Sequence, residues 1–264
     1  MLSEEGGAPL SAESRRKEIT QLFLREGKVK VGQLARTFGV TTETIRKDLI
    51  LLERQGLIRR GKGRAEFINE LNEQNFSDKS REHVAEKRAI AAAATALIPE
   101  HVTVFLDAGS TVYELARQLI VRRDLTVVTN FMPAASLLSA NGLKVILIGG
   151  EIRPASGGAT GPLATGAIRQ IHADLAVLST SGFQDAAGPC VENFSDASVK
   201  RTMLEQARSA MVLADSSKAR WRAMVNVAAW QEVDTVISDT ALPDGLAGLL
   251  RQQTELILVP PESL

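Results

Sequence analysis

Cysteine is almost missing from this 264-residue chain: Cys190 stands alone, so no internal disulfide braces the fold, and the composition fits a reducing compartment. Histidine is scarce too. His83, His101 and His172 lie far apart with no metal-ligand spacing, which argues against a metal centre. Long apolar runs are absent, since the longest, residues 89–98, is too short to span a bilayer. No charged-then-apolar leader opens the sequence. The expectation is a soluble, cytoplasmic-type protein with no membrane partner and no cofactor. With 44% apolar and 23% charged residues the chain is not of disordered composition, and its length allows one large domain or two modest ones.

Net charge is also zero, but the charges are segregated. Residues 14–68 hold 14 basic against 6 acidic side chains, a block of +8, while residues 69–264 hold 17 against 22, or −5. Glu4, Glu5 and Glu13 add −3 at the front. A small basic block ahead of a larger acidic one points to a polyanion-binding module fused to a second domain.

Residues 1–13, with Gly6, Gly7 and Pro9 and no periodicity, read as a flexible tail. A first helix is expected from Ser14, with Ile19, Leu22 and Phe23 on one face, ending at Gly27. A second short helix at 31–38 carries Leu34, Ala35 and Phe38, and Gly39-Val40 breaks it. A third, at about 42–55, places Ile45, Leu49 and Leu52 at i, i+4, i+7 and stops at Gly56. Residues 57–68 form two short arms around a basic, glycine-bearing tip, the pattern of a hairpin. The polar stretch 69–83 reads as a linker.

From residue 84 the character changes. Apolar runs rich in Val, Ile and Leu recur at 102–106, 125–129, 144–148, 175–179, 210–214, 233–238 and 255–259, separated by helix-like stretches such as 84–98 and 111–121. Strands apolar throughout and alternating with helices imply a mainly parallel sheet covered on both faces. The expected fold is an N-terminal winged helix-turn-helix (helix-turn-helix at about 31–55, wing at 57–68), mainly α, joined to an α/β domain at 84–264.

The physics of the first module fits double-stranded DNA. Burial of Ile45, Leu49 and Leu52 leaves Thr42, Glu43, Thr44, Arg46 and Lys47 on the helix half that enters a major groove. Thr41 is placed to cap that helix, whose exposed amides favour a phosphate. Arg46 suits a guanine edge, Thr42 and Thr44 a phosphate or thymine methyl, and Arg59, Arg60, Lys62 and Arg64 on the wing the backbone or minor groove. Six such phosphate contacts predict a log–log salt slope of about −5. Residues 56–62 also match the Gly-x-x-x-x-Gly-Lys of a P-loop, but Gly63 follows in place of Ser or Thr, and a hairpin after a helix is the wrong context.

In the second module the first strand ends in Asp107-Ala108-Gly109-Ser110-Thr111 before a helix, an arrangement that converges backbone amides and hydroxyls on an anion. Thr129-Asn130, Gly149-Gly150 with Arg153, and Asp215-Ser216-Ser217-Lys218 fall at strand ends, which a parallel sheet brings to one edge. Arg153 and Lys218 are natural phosphate partners there. Cys190, with no histidine near it in sequence, reads as a small buried thiol, and Trp221 and Trp230 as packing residues.

These residues resemble the DeoR-type regulators of sugar operons. The resemblance runs from Val31 through the Thr44-Ile45-Arg46-Lys47-Asp48-Leu49 motif, then Leu52-Glu53 and Gly56-Leu57-Ile58-Arg59-Arg60. Where the family wing usually reads His-Gly-Gly-Ala, this chain has Lys62-Gly63-Arg64-Ala65, which keeps a turn and adds two cations. The second half continues the likeness in Asp107 to Thr111, Thr129-Asn130, Gly149-Gly150, Gly161-Pro162, Ser181-Gly182, Glu192, Val199-Lys200 and Ala214 to Lys218. The resemblance implies a sensor domain similar in fold to sugar-phosphate isomerases and glucosamine-6-phosphate deaminases. It also implies a phosphorylated-sugar effector held by the 107–111 loop and Lys218, with Gly109, Ser110, Thr111, Gly161, Glu192 and Lys200 among the site residues.

The preferred reading is a DNA-binding repressor of a carbohydrate-utilisation operon, a homo-oligomer (dimer or tetramer) released from operator DNA by a sugar phosphate. An isomerase-like enzyme with an accessory head is the first alternative. After the strand at 175–179 stand hydroxyls and glycine, with the first acid at Asp185, where carbon-proton transfer needs a placed base such as Glu192. The second alternative is a constitutive DNA-binding protein whose second domain only oligomerises.

Overall fold

A computed structural model describes residues 11–26, 28–54, 58–61, 64–67, 76–183 and 187–261. The chain divides into two compact units, Met1–Glu73 and Gln74–Leu264.

The first unit runs α1 (Ala12–Glu26), β1 (Lys28–Lys30), α2 (Val31–Thr37), α3 (Thr42–Arg54), β2 (Ile58–Gly61) and β3 (Arg64–Phe67). Helix α1 starts earlier than the sequence pattern predicts, because Ser11 Oγ accepts a hydrogen bond from the Ser14 amide at 3.1 Å and caps it. Residues 11–13 are therefore a helix start and not flexible tail; residues 1–10 lie outside the described residues. Ile19, Leu34, Ala35, Ile45, Leu49 and Leu52 are buried together, with Leu22 and Phe38 against them. The expected inward face of Phe23 lies outside the described side chains. Val29 joins this core from β1, a strand whose three residues give no readable alternation. It pairs with β3 through Val29↔Ala65, and β3 pairs with β2, making a three-stranded antiparallel sheet. The stop at Gly56, the tip residues Lys62 and Gly63, and Leu57 and Ile68 lie outside the described residues.

Two devices aim α3. Between α2 and α3, Gly39 sits in the left-handed region at φ 62°. The Gly39 amide donates to Arg36 O at 3.3 Å and the Val40 amide to Ala35 O at 3.1 Å, the paired bonds of a Schellman stop. On the inner side of α3, buried Asp48 accepts from Arg15 Nε at 2.6 Å and Arg16 Nη1 at 3.3 Å, tying α3 to α1.

The second unit opens with α4 (Phe76–Lys79), α5 (Val84–Leu97), β4 (Thr103–Leu106) and α6 (Ser110–Gln118). Next come β5 (Thr126–Thr129), α7 (Met132–Ala140), β6 (Lys144–Leu147), β7 (Glu151–Ile152), β8 (Ala159–Thr160) and α8 (Pro162–Ile168). It closes with β9 (Ala173–Ser179), β10 (Cys190–Val191), α9 (Phe194–Glu205), β11 (Ala207–Leu213), β12 (Val225–Asn226), β13 (Thr235–Asp239), α10 (Asp244–Arg251) and β14 (Glu255–Val259). The expected 69–83 linker is corrected at its far end. Phe76 packs edge-on against Tyr113 and Phe131, so α4 belongs to this unit's core.

The seven apolar runs pair in one parallel sheet of order β14-β13-β11-β9-β4-β5-β6. Strand alternation divides its side chains between two layers. Val104, Leu106, Val127 and Val177 face the layer holding Ile90, Val112, Leu115 and Leu138 of α5, α6 and α7. Phe105, Val128, Ala176 and Leu178 face Ala164, Ile168, Val199, Met203 and Leu250 of α8, α9 and α10. The chain enters at β4, winds outward to β6, then returns to β9 on the other side of β4. Strands β4 and β9 thus form the point where the winding reverses, and the crevice beyond their C-terminal ends is where such sheets take ligands.

Gly39→Ala forces a Cβ into the left-handed region and is expected to cost about 1–2 kcal/mol. Each ~1 kcal/mol moves the melting midpoint of a domain this size by about 4–8 °C, so a thermal melt of the full chain should show the first unit unfolding several degrees earlier. An unchanged midpoint removes the Schellman stop from the account.

Candidate functional site

In the first unit the Thr41 side chain caps α3. Its Oγ1 accepts from the Thr44 amide at 3.2 Å and stands 2.9 Å from Thr44 Oγ1. Thr42, Glu43, Arg46 and Lys47 are exposed, Thr44 is half-buried, and Ile45, Asp48 and Leu49 are buried. The N-terminal half of α3 therefore offers one continuous polar face, with Arg46 Nη1 3.4 Å from Glu43 Oε2. Of the wing cations, Arg59, Arg60 and Arg64 are carried on paired strands, and Lys62 lies outside the described residues. Sequence reasoning missed Asp48 as the anchor of α3. The residue stands inside the quoted motif, and its place between buried Ile45 and Leu49 on the helix was the available signal.

In the second unit the parallel sheet brings the predicted turns to one edge. Asp107 to Thr111 follow β4, Thr129 ends β5 with Asn130 after it, Ser179 ends β9, and Asp215 to Lys218 follow β11. Helices α6, α7 and α8 begin at this edge, α7 and α8 with a proline in the first turn. The unpaired first amides of α6 are those of Ser110, Thr111 and Val112. Gly109 is required by close approach: a Cβ there would stand 2.4 Å from Ser179 Cβ.

The sequence places Asp107 and Lys200 as separate effector contacts; the structure gives them to each other. Lys200 Nζ pairs with Asp107 Oδ2, with side-chain exposures of 6% and 2%, and donates to Ser179 Oγ at 2.9 Å. The Ser179 amide donates to the same carboxylate at 2.9 Å, and Ser179 Oγ lies 2.7 Å from the Ala108 carbonyl oxygen. This buried knot fastens the 107–111 loop to β9 and α9. Ser110 and Thr111, which follow the knot at the start of α6, are themselves largely buried.

The remaining predicted residues sort in the same way. Thr129 Oγ1 donates to Leu106 O at 2.6 Å and accepts from the Phe131 amide at 3.0 Å, a brace between β4 and β5. Asn130 Nδ2 donates to Ala159 O at 2.9 Å, while its buried Oδ1 has no partner among the described residues. Arg153 is paired with Asp196 at the start of α9, so its charge is already engaged. Gly150, at φ 155°, admits no Cβ because Thr160 O would stand 2.5 Å away, and Gly149 next to it is open. Gly161 takes φ 87° ahead of α8. Glu192 accepts from Trp221 Nε1 at 3.3 Å. Lys218 is half-buried and makes no ion pair among the described residues.

Trp230 is fully buried edge-on to Phe183, as a packing residue should be, whereas Trp221 is half exposed. Cys190 is a buried thiol whose Sγ stands 2.8 Å from Gly182 O and accepts from the Ala223 amide at 3.1 Å. Asp185 lies outside the described residues.

Lys87 was not anticipated. It is buried on α5, where its ammonium donates to the carbonyls of Lys79 and Glu82. Burial pushes its pKa below the ordinary lysine range, against the pull of Asp215. Its position was readable, because Lys87, Ile90, Ala91 and Ala94 share the i, i+3, i+4, i+7 stripe that α5 turns inward.

Removing one partner of the buried knot should be costly. Lys200→Met leaves Asp107 as a buried, unpaired carboxylate and is expected to destabilise the second unit by about 3–5 kcal/mol. Adding Asp107→Asn should restore much of that loss in denaturant unfolding. Additive losses in the double variant would show that the two side chains are not coupled.

Residues 15–71 match the family model of the DeoR-like helix-turn-helix domain, and residues 82–240 that of the DeoR C-terminal sensor domain. The chain is 34% identical over 250 residues to a protein of Escherichia coli O157:H7 named for repression of the aga operon, covering 93% of each. It is 32% identical over 231 residues to the glycerol-3-phosphate regulon repressor of Escherichia coli K12, covering 87% of this chain and 91% of that one. Among solved structures, ribose 5-phosphate isomerase A of Methanocaldococcus jannaschii is similar over 50% of this chain and 52% of that one, at 15% identity and TM-score 0.37. No helix among the described residues is long and apolar enough to cross a membrane. The exposed face of α3 and the two family matches together make this chain a member of the DeoR family, a DNA-binding transcriptional regulator rather than an enzyme.

Proposed function

We propose that this regulator represses a carbohydrate-utilisation operon and is released from its operator when a phosphorylated sugar binds at the C-terminal edge of the parallel sheet. The observation that carries the reading is the 107–111 loop at the winding reversal between β4 and β9. There the first amides of α6 and the hydroxyls of Ser110 and Thr111 are held in place by the Lys200–Asp107–Ser179 knot. Fixed amides at a helix start suit a phosphate, and a knot that is already formed spares the ligand the cost of ordering the loop. Lys218, half-buried at the same edge, supplies a cation. Asn130, Gly149, Gly150, Gly161 and Glu192 border the sugar side, while Thr129 and Arg153 hold the walls. The reading calls for no cofactor beyond this effector.

Two relatives are named as repressors, one of the aga operon and one of a glycerol-3-phosphate regulon, which favours the same sign of control and a phosphorylated metabolite. Thr41, Thr42, Thr44, Arg46 and Lys47 on α3, with Arg59, Arg60, Lys62 and Arg64 of the wing, are the residues that contact operator DNA. One head reads only a few base pairs, so the working form is a homo-oligomer, a dimer or a tetramer, on half-sites a whole number of helical turns apart. Effector control then requires only that the sugar phosphate bind one arrangement of the heads more tightly than the other.

The test is a gel shift with promoter DNA of the neighbouring operon, with and without a panel of sugar phosphates. One compound should release the complex and change Trp221 fluorescence saturably. In Lys218→Ala the concentration needed should rise about tenfold or more, the worth of a charged hydrogen bond. Release by no member of the panel would leave a constitutive DNA-binding protein, and release unaltered in Lys218→Ala would remove that residue from the site.

A further inference from the structure

The exposed face of α3 carries an acid beside its cations. Glu43 and Arg46 stand at i and i+3, with Arg46 Nη1 3.4 Å from Glu43 Oε2 and side-chain exposures of 66% and 62%. An ion pair so open to water adds little to stability. The two residues sit in the middle of the exposed face, flanked by Thr42 and Lys47, while Ile45, Asp48 and Leu49 turn inward. The Thr41 cap and the Asp48 pairs with Arg15 and Arg16 fix the direction in which that face points.

A carboxylate on this face opposes binding to any polyanion, since nearby phosphates repel it and every bare acceptor in the groove does the same. Only a base-edge donor relieves that penalty. In the major groove those donors are the amino groups of cytosine N4 and adenine N6. Arg46, beside it, needs two adjacent acceptors for a bidentate contact, and guanine O6 and N7 are the set that provides them. In one G·C pair, guanine O6 and cytosine N4 are hydrogen-bonded to each other at about 2.9 Å. The Arg46 and Glu43 heads, 3.4 Å apart, stand within about half an ångström of that spacing. An A·T pair does not fit, because the adenine amino group divides its two acceptors.

We propose that Glu43 and Arg46 read a single G·C base pair of the operator as a unit, Arg46 donating to guanine O6 and N7 while Glu43 accepts from cytosine N4. Glu43 is thereby the discriminating residue: it weakens binding to all other sequences, and only the matching cytosine removes the penalty. The inference rests on α3 entering the major groove, and the experiment separates the two.

Full-length protein is taken through selection from a randomised duplex library at fixed salt, with sequencing of the bound fraction, for the natural chain, Glu43→Ala, Glu43→Gln and Arg46→Ala. The natural chain should yield a motif with one G·C position preferred by roughly 5- to 150-fold over its alternatives. Glu43→Ala should reduce that preference severalfold at this position alone and tighten binding to motif-free DNA. Arg46→Ala should lose the preference at the same position. Glu43→Gln should move it toward adenine, which glutamine reads through N6 and N7. All four chains should melt together, because both side chains are exposed. A motif unchanged in Glu43→Ala, or Glu43 and Arg46 acting at different base pairs, overturns the proposal while leaving the recognition helix in the groove. A natural chain that selects no motif overturns both.

Discussion

The buried ion pair between Lys200 and Asp107 is the constraint on which the sensor unit depends. It joins three pieces of chain far apart in sequence: the turn after β4, the end of β9 and the body of α9. Two charges removed from water are tolerable only when each is met, and here the carboxylate also accepts the Ser179 amide while the ammonium also donates to Ser179 Oγ. The knot forms at the point where the sheet's winding reverses, between β4 and β9. The tight contact of Gly109 with Ser179 follows from it, since the backbone is drawn in to where no Cβ fits.

The DNA-binding unit uses the same economy on a smaller scale. Its apolar core is a handful of side chains, and a core that small orients a helix poorly by packing alone. Asp48, shared by Arg15 and Arg16, adds direction that aliphatic contacts lack, and the Gly39 turn fixes where α3 begins. The outward face is left to Thr42, Glu43, Arg46 and Lys47, none of which is needed to hold the fold. Stability thus rests on one side of α3 and leaves the other free.

Much of this architecture was legible in the residues. The seven apolar runs became seven strands of one parallel sheet because burial on both faces leaves no polar alternation to misread. Helices α2 and α3 were marked by their apolar stripes and by Gly39. Less legible were short elements stabilised only by distant partners, such as β1, which exists because β3 lies beside it, and α4, which exists because Phe76 meets Tyr113 and Phe131. Lys87 escaped notice because a lysine within Glu86-Lys87-Arg88 reads as surface, although helical spacing places it on the buried stripe.

By itself, then, the sequence determined the two-unit division, the fold class of each unit, the family, and which residue types gather at the sheet edge. Local propensity, charge segregation and period carry that information along the chain. Only the tertiary structure decided what each of those residues does. Asp107 and Lys200 became a knot, Thr129 a brace, Arg153 the partner of Asp196, and Ser110 and Thr111 the buried first turn of α6. The reason is physical. A charged or hydroxyl side chain is neutral between several roles until burial removes water and compels it to find a partner, and the partner is supplied by chain folded back from many residues away.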